Sequence, residues 1–196
     1  MIIGLTGGMG CGKSTAARLF LQFGWLVADC DQIVRHLLDS NTDVRDAIRR
    51  RHPGVLNPDA SVNRPALAAL VFDNDSERLW LEALLHPLVR QRWRALVNTS
   101  PNADWIVEVP LLFEGNLQKE FDFTVTVAAS SATQIARLEK RGVPPALARQ
   151  RISKQLPISA KIELSDHVLT NDGSRAALLA QVEHLSSQLK PRSPFL

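Results

Sequence analysis

The feature that constrains this chain most is a glycine-rich run close to its start. Residues 7–14 read GGMGCGKS, which fits the pattern G-x-x-x-x-G-K-[ST] of a phosphate-binding loop. The short apolar segment MIIGLT precedes this run, and Ala16, Leu19 and Phe20 follow it at helical spacing. A buried strand, a glycine turn and a helix are therefore predicted in that order.

Each residue type in this run suits an anionic ligand. Glycines reach positive φ and let backbone N–H groups approach phosphate oxygens. A helix that starts near Lys13 aims its free amides and positive dipole end at the same anion. Lys13 can reach the β- and γ-phosphates of a nucleotide, and the Ser14 hydroxyl can ligate Mg²⁺. We predict a nucleoside triphosphate as ligand, Mg²⁺ as the metal with Ser14 as its ligand, and a nucleotide-binding set of Gly8, Gly10, Cys11, Gly12, Lys13, Ser14 and Thr15.

The rest of the chain alternates apolar strands with helices. Strands are predicted at 25–29, 104–109, 121–129 and 167–170, which favours an α/β fold with a parallel sheet covered on both faces. Two stretches break the alternation, a helical region from about 36 to 100 and a basic region from about 139 to 163. We interpret both as insertions over the carboxyl ends of the strands, in a single domain whose core is about 1–35, 101–138 and 164–196. A helical stretch is predicted from Asp31 to about Arg51, and Pro87 predicts two helices that meet at His86-Pro87.

Composition and charge exclude several classes of protein. No apolar run reaches the ~18 residues that a membrane span needs, so no membrane partner is predicted. The formal net charge of +3 is too small to indicate a nucleic-acid partner. The first residues lack a basic leader and a cleavage pattern, and the two cysteines are too few for a disulfide framework, so we expect a cytoplasmic protein with reduced thiols.

The basic region is one-sided in charge. Between Arg137 and Lys161 there are seven Lys or Arg residues against one acid, Glu139. Such a segment either faces a polyanion or is a solvated helical face. The chain has neither the Asn-Lys-x-Asp segment that reads guanine nor an apolar strand that ends in Asp-Glu. A short chain with a late basic segment favours a small-molecule kinase, in which a basic helical lid closes over the phosphates.

Beyond the loop, the sequence resembles the dephospho-CoA kinase family at several places in chain order, from about residue 2 to 190. The matching segments are LTGGMGCGKST, Asp29-Cys30-Asp31 with Arg35, His86-Pro87-Leu88, VPLLFE at 109–114, Arg137 with Arg141, Arg151-Ile152 with Gln155, and Asn171-Asp172-Gly173. Cys11 and Cys30 depart from the serine and alanine that are common in the family. Neither departure removes a group that the chemistry needs, because the loop binds phosphate at this point through backbone amides.

The resemblance implies phosphorylation of the ribose 3′-hydroxyl of dephospho-CoA by ATP with Mg²⁺, the final step of coenzyme A synthesis. It also implies a P-loop kinase fold with a five-stranded parallel sheet, a helical substrate-binding region and a lid. Two alternatives stay open. One is another small P-loop kinase that acts on a nucleotide or metabolite, and the other is a non-catalytic nucleotide-binding regulator, which would not need Asp31.

The candidate catalytic residues are Lys13, Asp31 and Arg141. Asp31 follows an apolar strand, so it can accept the proton of the attacking hydroxyl or orient that hydroxyl, whereas Asp29 is interpreted as structural. Arg35 lies one helical turn beyond Asp31 and can face the same substrate. Arg137 and Arg141 are predicted to bind the ATP phosphates, as lid arginines do.

Further residues are predicted to complete the substrate and nucleotide pockets. His86, Glu114 and Lys161 are candidates for substrate binding, together with Asp31 and Arg35. Asn171 is placed beside the adenine by the resemblance alone. The helix dipole and Lys13 also favour a Cys11 thiolate, so Cys11 is expected to react with alkylating reagents faster than Cys30.

Overall fold

The computed structural model describes residues 1–189, and its core is a five-stranded parallel sheet. The strands are β1 (Ile2–Gly7), β2 (Leu26–Asp29), β3 (Trp105–Glu108), β4 (Phe123–Ala128) and β5 (His167–Thr170), in the order β2-β3-β1-β4-β5. The predicted fold class is confirmed. The carboxyl ends of β1, β2 and β3 lie at the same edge of the sheet, because Glu108 at the end of β3 pairs with Leu5 of β1 and with Asp29 of β2.

α-Helices connect the strands within residues 1–189 except between β3 and β4, where the chain forms turns and a short 3-10 helix, Gln118–Glu120. In chain order they are α1 (Lys13–Phe20), α2 (Cys30–Ser40), α3 (Thr42–Arg51), α4 (Arg64–Asp73), α5 (Asp75–Asn98), α6 (Ser131–Glu139), α7 (Pro145–Ser153), α8 (Ile158–Leu164) and α9 (Arg175–Leu189). None of them is long and apolar enough to cross a membrane.

The chain divides into two compact units. The sheet unit comprises residues 1–29 and the chain from 99 onward, and the helical unit comprises residues 30–98. The first boundary between the units therefore falls at Asp29–Cys30, directly at the end of β2. The basic segment 139–163 clusters with the sheet unit. Residues 190–196, which we assigned to the core, lie outside the described residues.

Apolar side chains on both sides of the sheet explain why these strands and helices pack together. Ile3, Leu5 and Val125 of the central strands are fully buried. Phe20 of α1 packs edge to face against Trp25 at a centroid distance of 5.8 Å. The indole of Trp25 donates to Ser186 of α9 at 3.2 Å, so its polar nitrogen is satisfied inside the core. This core fixes the position of the loop between β1 and α1.

The helical unit has more breaks than the sequence predicted. Asn41 divides the predicted stretch 31–51 into α2 and α3, because its side chain accepts from the Val44 amide and caps the second helix. Glu77 links α5 to the C-terminal end of α3: its carboxylate accepts a hydrogen bond from Arg51 at 2.7 Å and contacts the His52 ring at 2.7 Å. Trp80 lies below the Arg51 guanidinium at 5.0 Å.

Pro87 does not separate two helices, so that prediction is wrong. Helix α5 runs through it from Asp75 to Asn98 over 24 residues. Proline removes one intrahelical hydrogen bond and strains the preceding turn. Leu85, Val89, Trp93 and Val97 recur every four residues and are all buried, so the packing of this stripe outweighs the local cost.

Candidate active site

The loop between β1 and α1 has the geometry of a phosphate cradle. Gly10 and Gly12 have φ values of +79° and +93°, which L side chains rarely adopt. A Cβ at Gly10 would lie 2.8 Å from the Gln134 carbonyl oxygen, and one at Gly12 would collide with the Asn171 side chain. Since Gly12 directly precedes α1, the free amides of the first helical turn follow the loop.

Lys13 is folded onto the loop. Its ammonium donates to the carbonyl oxygens of Gly7 at 3.0 Å and Gly8 at 3.3 Å. These contacts hold the side chain across the cradle, where an incoming phosphate can replace the carbonyl acceptors.

Ser14 contacts an acidic residue, Glu108, that the sequence analysis did not single out. Its hydroxyl donates to the Glu108 carboxylate at 2.9 Å. Glu108 is only 3% exposed and ends β3, between β1 and β2. The available signal was an acidic residue inside the otherwise apolar strand WIVEV.

This pair of oxygen donors fits a divalent cation. Hydroxyl and carboxylate oxygens are the ligands that Mg²⁺ prefers, and nucleotide sites supply the remaining ligands from phosphates and water. No group of three or more His, Cys, Asp or Glu side chains within residues 1–189 could hold a metal by itself. The chain therefore offers one or two oxygen ligands at the loop, which is the pattern of a metal that is bound together with its nucleotide.

Arg137 and Asn171 support the loop from behind. The Arg137 guanidinium donates to the carbonyl oxygens of Gly10 at 3.4 Å, Cys11 at 3.3 Å and Asn171 at 2.7 Å. The Asn171 side chain donates to the same Cys11 oxygen at 2.7 Å. The Cys11–Gly12 peptide is planar and trans, so its N–H points away from its carbonyl oxygen. Holding the Cys11 oxygen on one side therefore directs the Gly12 N–H to the opposite side. The predicted contacts of Arg137 with phosphate and of Asn171 with adenine stay predictions.

Arg141 has a different setting. It lies in the turn after α6, with its backbone N–H bonded to Leu138, and its side chain is exposed. Within the described chain its guanidinium has no hydrogen bond or ion pair. The guanidinium is therefore available to an external anion, and its predicted contact with the ATP phosphates stays a prediction.

Glu114 and Lys161, which were each predicted to bind the substrate, lie together in the structure and bind each other. The Lys161 ammonium lies 2.8 Å from the Glu114 carboxylate and donates to the Pro110 oxygen at 3.1 Å. Lys161 is fully buried, whereas the Glu114 side chain is 22% exposed. Glu114 also accepts from the Leu156 amide at 3.0 Å. Their predicted substrate contacts stay predictions, because both groups already have structural partners.

The expectation of a reactive Cys11 thiolate is wrong. The Cys11 side chain is fully buried in the hydrophobic core beneath the loop. Burial raises the pKa of the Cys11 thiol. This effect is larger than the opposite effect of backbone N–H groups, Lys13 and Arg137, which lower the same pKa. Cys30 is also buried, so neither thiol is presented to a reagent.

Three predicted substrate-binding residues, Asp31, Arg35 and His86, lie in the helical unit. Asp31 and Arg35 occupy the first turns of α2, four residues apart and both exposed. His86 lies on α5 and lines a cavity of about 550 Å³ together with Arg90 and Arg94. Three of the side chains that line this cavity are therefore basic residue types.

A phosphate cradle after the central strand, basic helices after β4 and a helical unit inserted after β2 define a P-loop kinase. The model of one family, described as dephospho-CoA kinase, matches residues 1–177. The chain belongs to the dephospho-CoA kinase family. Two curated relatives of that name agree: one from Symbiobacterium thermophilum is 38% identical and covers 93% of this chain and 78% of its own. One from Gamma-proteobacterium EBAC31A08 is 36% identical and covers 96% of both chains.

Solved structures share the fold. A crystal structure from Thermus thermophilus superposes with a TM-score of 0.83 at 30% identity, covering 96% of this chain and 97% of that one. A dephospho-CoA kinase from Campylobacter jejuni gives 0.69 at 21% identity over 96% of each chain. A shikimate kinase from Bacteroides thetaiotaomicron gives 0.56 at 15% identity, covering 97% of this chain and 98% of its own. The last two comparisons concern the fold alone.

Proposed function

We propose that this protein transfers the γ-phosphate of ATP to the ribose 3′-hydroxyl of dephospho-CoA and so forms coenzyme A, the final step of its synthesis. The observation that carries the proposal is the phosphate loop with Lys13 and Ser14 at the carboxyl edge of the sheet, in a chain that belongs to this family. Two buried thiols and a soluble co-substrate suit a cytoplasmic enzyme, and we propose no membrane or nucleic-acid partner.

ATP binding uses groups that are already oriented. Amides of the loop and of the first turn of α1 donate to the phosphates, and Lys13 exchanges its Gly7 and Gly8 acceptors for phosphate oxygens. Ser14, whose hydroxyl bonds to Glu108, would hold Mg²⁺ together with that carboxylate. When bound, the metal would offset negative charge on the nucleotide phosphates. Arg137 and Asn171 keep the loop in the shape that binding needs.

The acceptor hydroxyl is activated by Asp31, in our proposal. Its carboxylate accepts the hydroxyl proton or holds the hydroxyl in line with the γ-phosphorus. Arg141 closes on the phosphates and balances the charge that spreads over the transferred group. Arg35 and His86 bind the acceptor, since both present basic groups in the helical unit to a substrate that carries phosphate.

A coupled ADP-release assay tests the choice of acceptor. Purified protein with ATP and Mg²⁺ should release ADP with dephospho-CoA, and far more slowly with adenylate or with no acceptor. Lys13→Ala, which loses the charge that bridges the phosphates, serves as the inactive control. Equal rates with adenylate would indicate another small P-loop kinase, and ATP binding without ADP release would indicate a regulator.

A further inference from the structure

The chain between α7 and α8 is attached to the sheet unit at several points. The Gln155 side-chain oxygen accepts from the Met9 amide of the phosphate loop at 2.9 Å. The next residue, Leu156, donates its amide to Glu114 at 3.0 Å. Five residues later Lys161 pairs with the same Glu114 carboxylate at 2.8 Å. Glu114 therefore binds the segment 155–161 on both sides of the start of α8.

The C-terminal end of the segment 155–161 is buried. Lys161 is fully buried, and its backbone oxygen accepts from Thr126 of β4 at 3.1 Å. Breaking an ion pair of this kind leaves a buried charge without its partner, which is strongly unfavourable. The segment 155–161 is thus docked on the sheet unit, although it lies inside the region that the sequence assigned to the lid. Gln155 belongs to this docked part.

Gln155 holds one particular peptide of the loop. The oxygen of the Gly8–Met9 peptide accepts hydrogen bonds from the Lys13 ammonium at 3.3 Å and from the Cys11 amide at 3.2 Å. The N–H of the same peptide donates to the Gln155 side chain. When Lys13 turns to a phosphate, that peptide loses one of its restraints. Gln155 then remains as the side chain that fixes its N–H, and rotation of the peptide would disturb the cradle next to it.

We propose that Gln155 is a positioning residue for phosphoryl transfer: its amide oxygen holds the Gly8–Met9 peptide in the orientation that the nucleotide phosphates require, and the Glu114–Lys161 pair keeps Gln155 in place. The inference rests on the proposed function, since the loop acts on ATP phosphates there. Gln155 touches no reacting atom, so it acts through the loop.

Two substitutions at Gln155 separate positioning from packing. Gln155→Met keeps the length of the side chain but removes the acceptor, and should lower kcat, and with it kcat/KM for ATP, roughly tenfold, since a polar amide loses its partner. Gln155→Glu keeps an accepting oxygen and should restore kcat toward the wild-type value, while its charge near the phosphates raises KM for ATP. Gln150→Met, on the exposed side of α7, is the matched control and should behave as wild type.

The readout that does not depend on turnover is hydrogen exchange at the Met9 amide in the ligand-free protein. Exchange should be faster in Gln155→Met than in wild type, Gln155→Glu and Gln150→Met, at unchanged Tm. Unchanged Met9 exchange and kinetics in Gln155→Met would overturn the proposal, as would equal loss of kcat in Gln155→Met and Gln155→Glu. If the wild type fails to phosphorylate dephospho-CoA, the proposed function fails, and the exchange comparison still decides whether Gln155 holds the loop.

Discussion

At the scale of single residues, the polar groups of the phosphate loop each have a partner that a ligand can replace. Lys13 bonds to two loop carbonyls and Ser14 bonds to Glu108. The sequence identified Lys13 and Ser14 because their spacing from the glycines is fixed by the chemistry of phosphate binding. It missed Glu108 and the burial of Cys11, because both depend on neighbours that are distant in sequence.

Asp31→Asn tests the proposed base. The substitution keeps size and hydrogen bonding but loses the carboxylate, so kcat should fall more than tenfold while ATP binding stays nearly intact. Steady-state kinetics and nucleotide titration measure the two effects, and Asp29→Asn is the neighbouring control. A kcat above about a tenth of wild type, a loss below ~1.4 kcal/mol, would remove Asp31 from that role.

Glu108→Gln tests the metal site. Glutamine still accepts from the Ser14 hydroxyl, but the buried negative charge beside it is gone. We expect the Mg²⁺ concentration for half-maximal activity to rise several-fold, with kcat at saturating Mg²⁺ less affected. Asp104→Asn, another buried acid of the sheet unit outside the loop, is the control. An unchanged Mg²⁺ titration in Glu108→Gln would exclude Glu108 from metal binding.

At the scale of helices and strands, local sequence patterns predicted most elements, and packing decided the rest. The five apolar runs correspond to β1–β5, because a strand buried on both faces is a continuous apolar run, and such a run is visible in the sequence. Pro87 misled the prediction because the buried stripe of α5 compensates for one missing hydrogen bond. The sequence did not predict the docking of 155–161, because it offered Lys161 only as a candidate substrate-binding residue of the basic region, whereas the structure buries it.

The Glu114–Lys161 pair should respond asymmetrically to substitution. Glu114→Gln leaves a fully buried ammonium without its counter-ion and should lower the free energy of unfolding by about 3 kcal/mol. Lys161→Met removes that buried charge and leaves Glu114 able to reach water, so it should cost less. Urea unfolding of both variants measures the difference, and a larger loss in Lys161→Met would contradict this account of the docked segment.

The Glu77 cluster predicts a pH dependence in the helical unit. Hydrogen bonds from Arg51 and then His52 lower the pKa of Glu77 from 4.5 to about 2. A carboxyl with a lowered folded-state pKa stabilises the protein above its unfolded value, and this contribution is lost as the pH falls from about 4.5 through about 2. Glu77→Gln should therefore lower Tm near neutral pH, and the difference from wild type should shrink as the pH falls through this window.

A control separates this effect from general acid unfolding. Asp46→Asn breaks an exposed ion pair to Arg49 on α3 and should change Tm little. A Tm difference between wild type and Glu77→Gln that stays constant from pH 6 to pH 3 would contradict the assigned role of the cluster.

At the scale of the whole molecule, the sheet and its phosphate loop are common to P-loop kinases, so they account for ATP chemistry but not for the acceptor. We propose that residues outside this common part choose the acceptor, and the candidates Asp31, Arg35 and His86 all lie in the helical unit 30–98. The sequence suggested an inserted region because the run from 36 to 100 interrupts the strand–helix alternation, and its approximate bounds stay a prediction. In the structure, α2 begins directly at the end of β2.

The measurement that tests the central claim most directly is identification of the product by ³¹P NMR and mass spectrometry. Wild-type protein with ATP, Mg²⁺ and dephospho-CoA should yield ADP and an equal amount of a molecule with one added phosphate, whose phosphomonoester is coupled to the ribose 3′ proton. Lys13→Ala should yield neither. ADP without a new phosphomonoester, phosphate on a different hydroxyl, or unchanged dephospho-CoA with folded protein would each contradict the account.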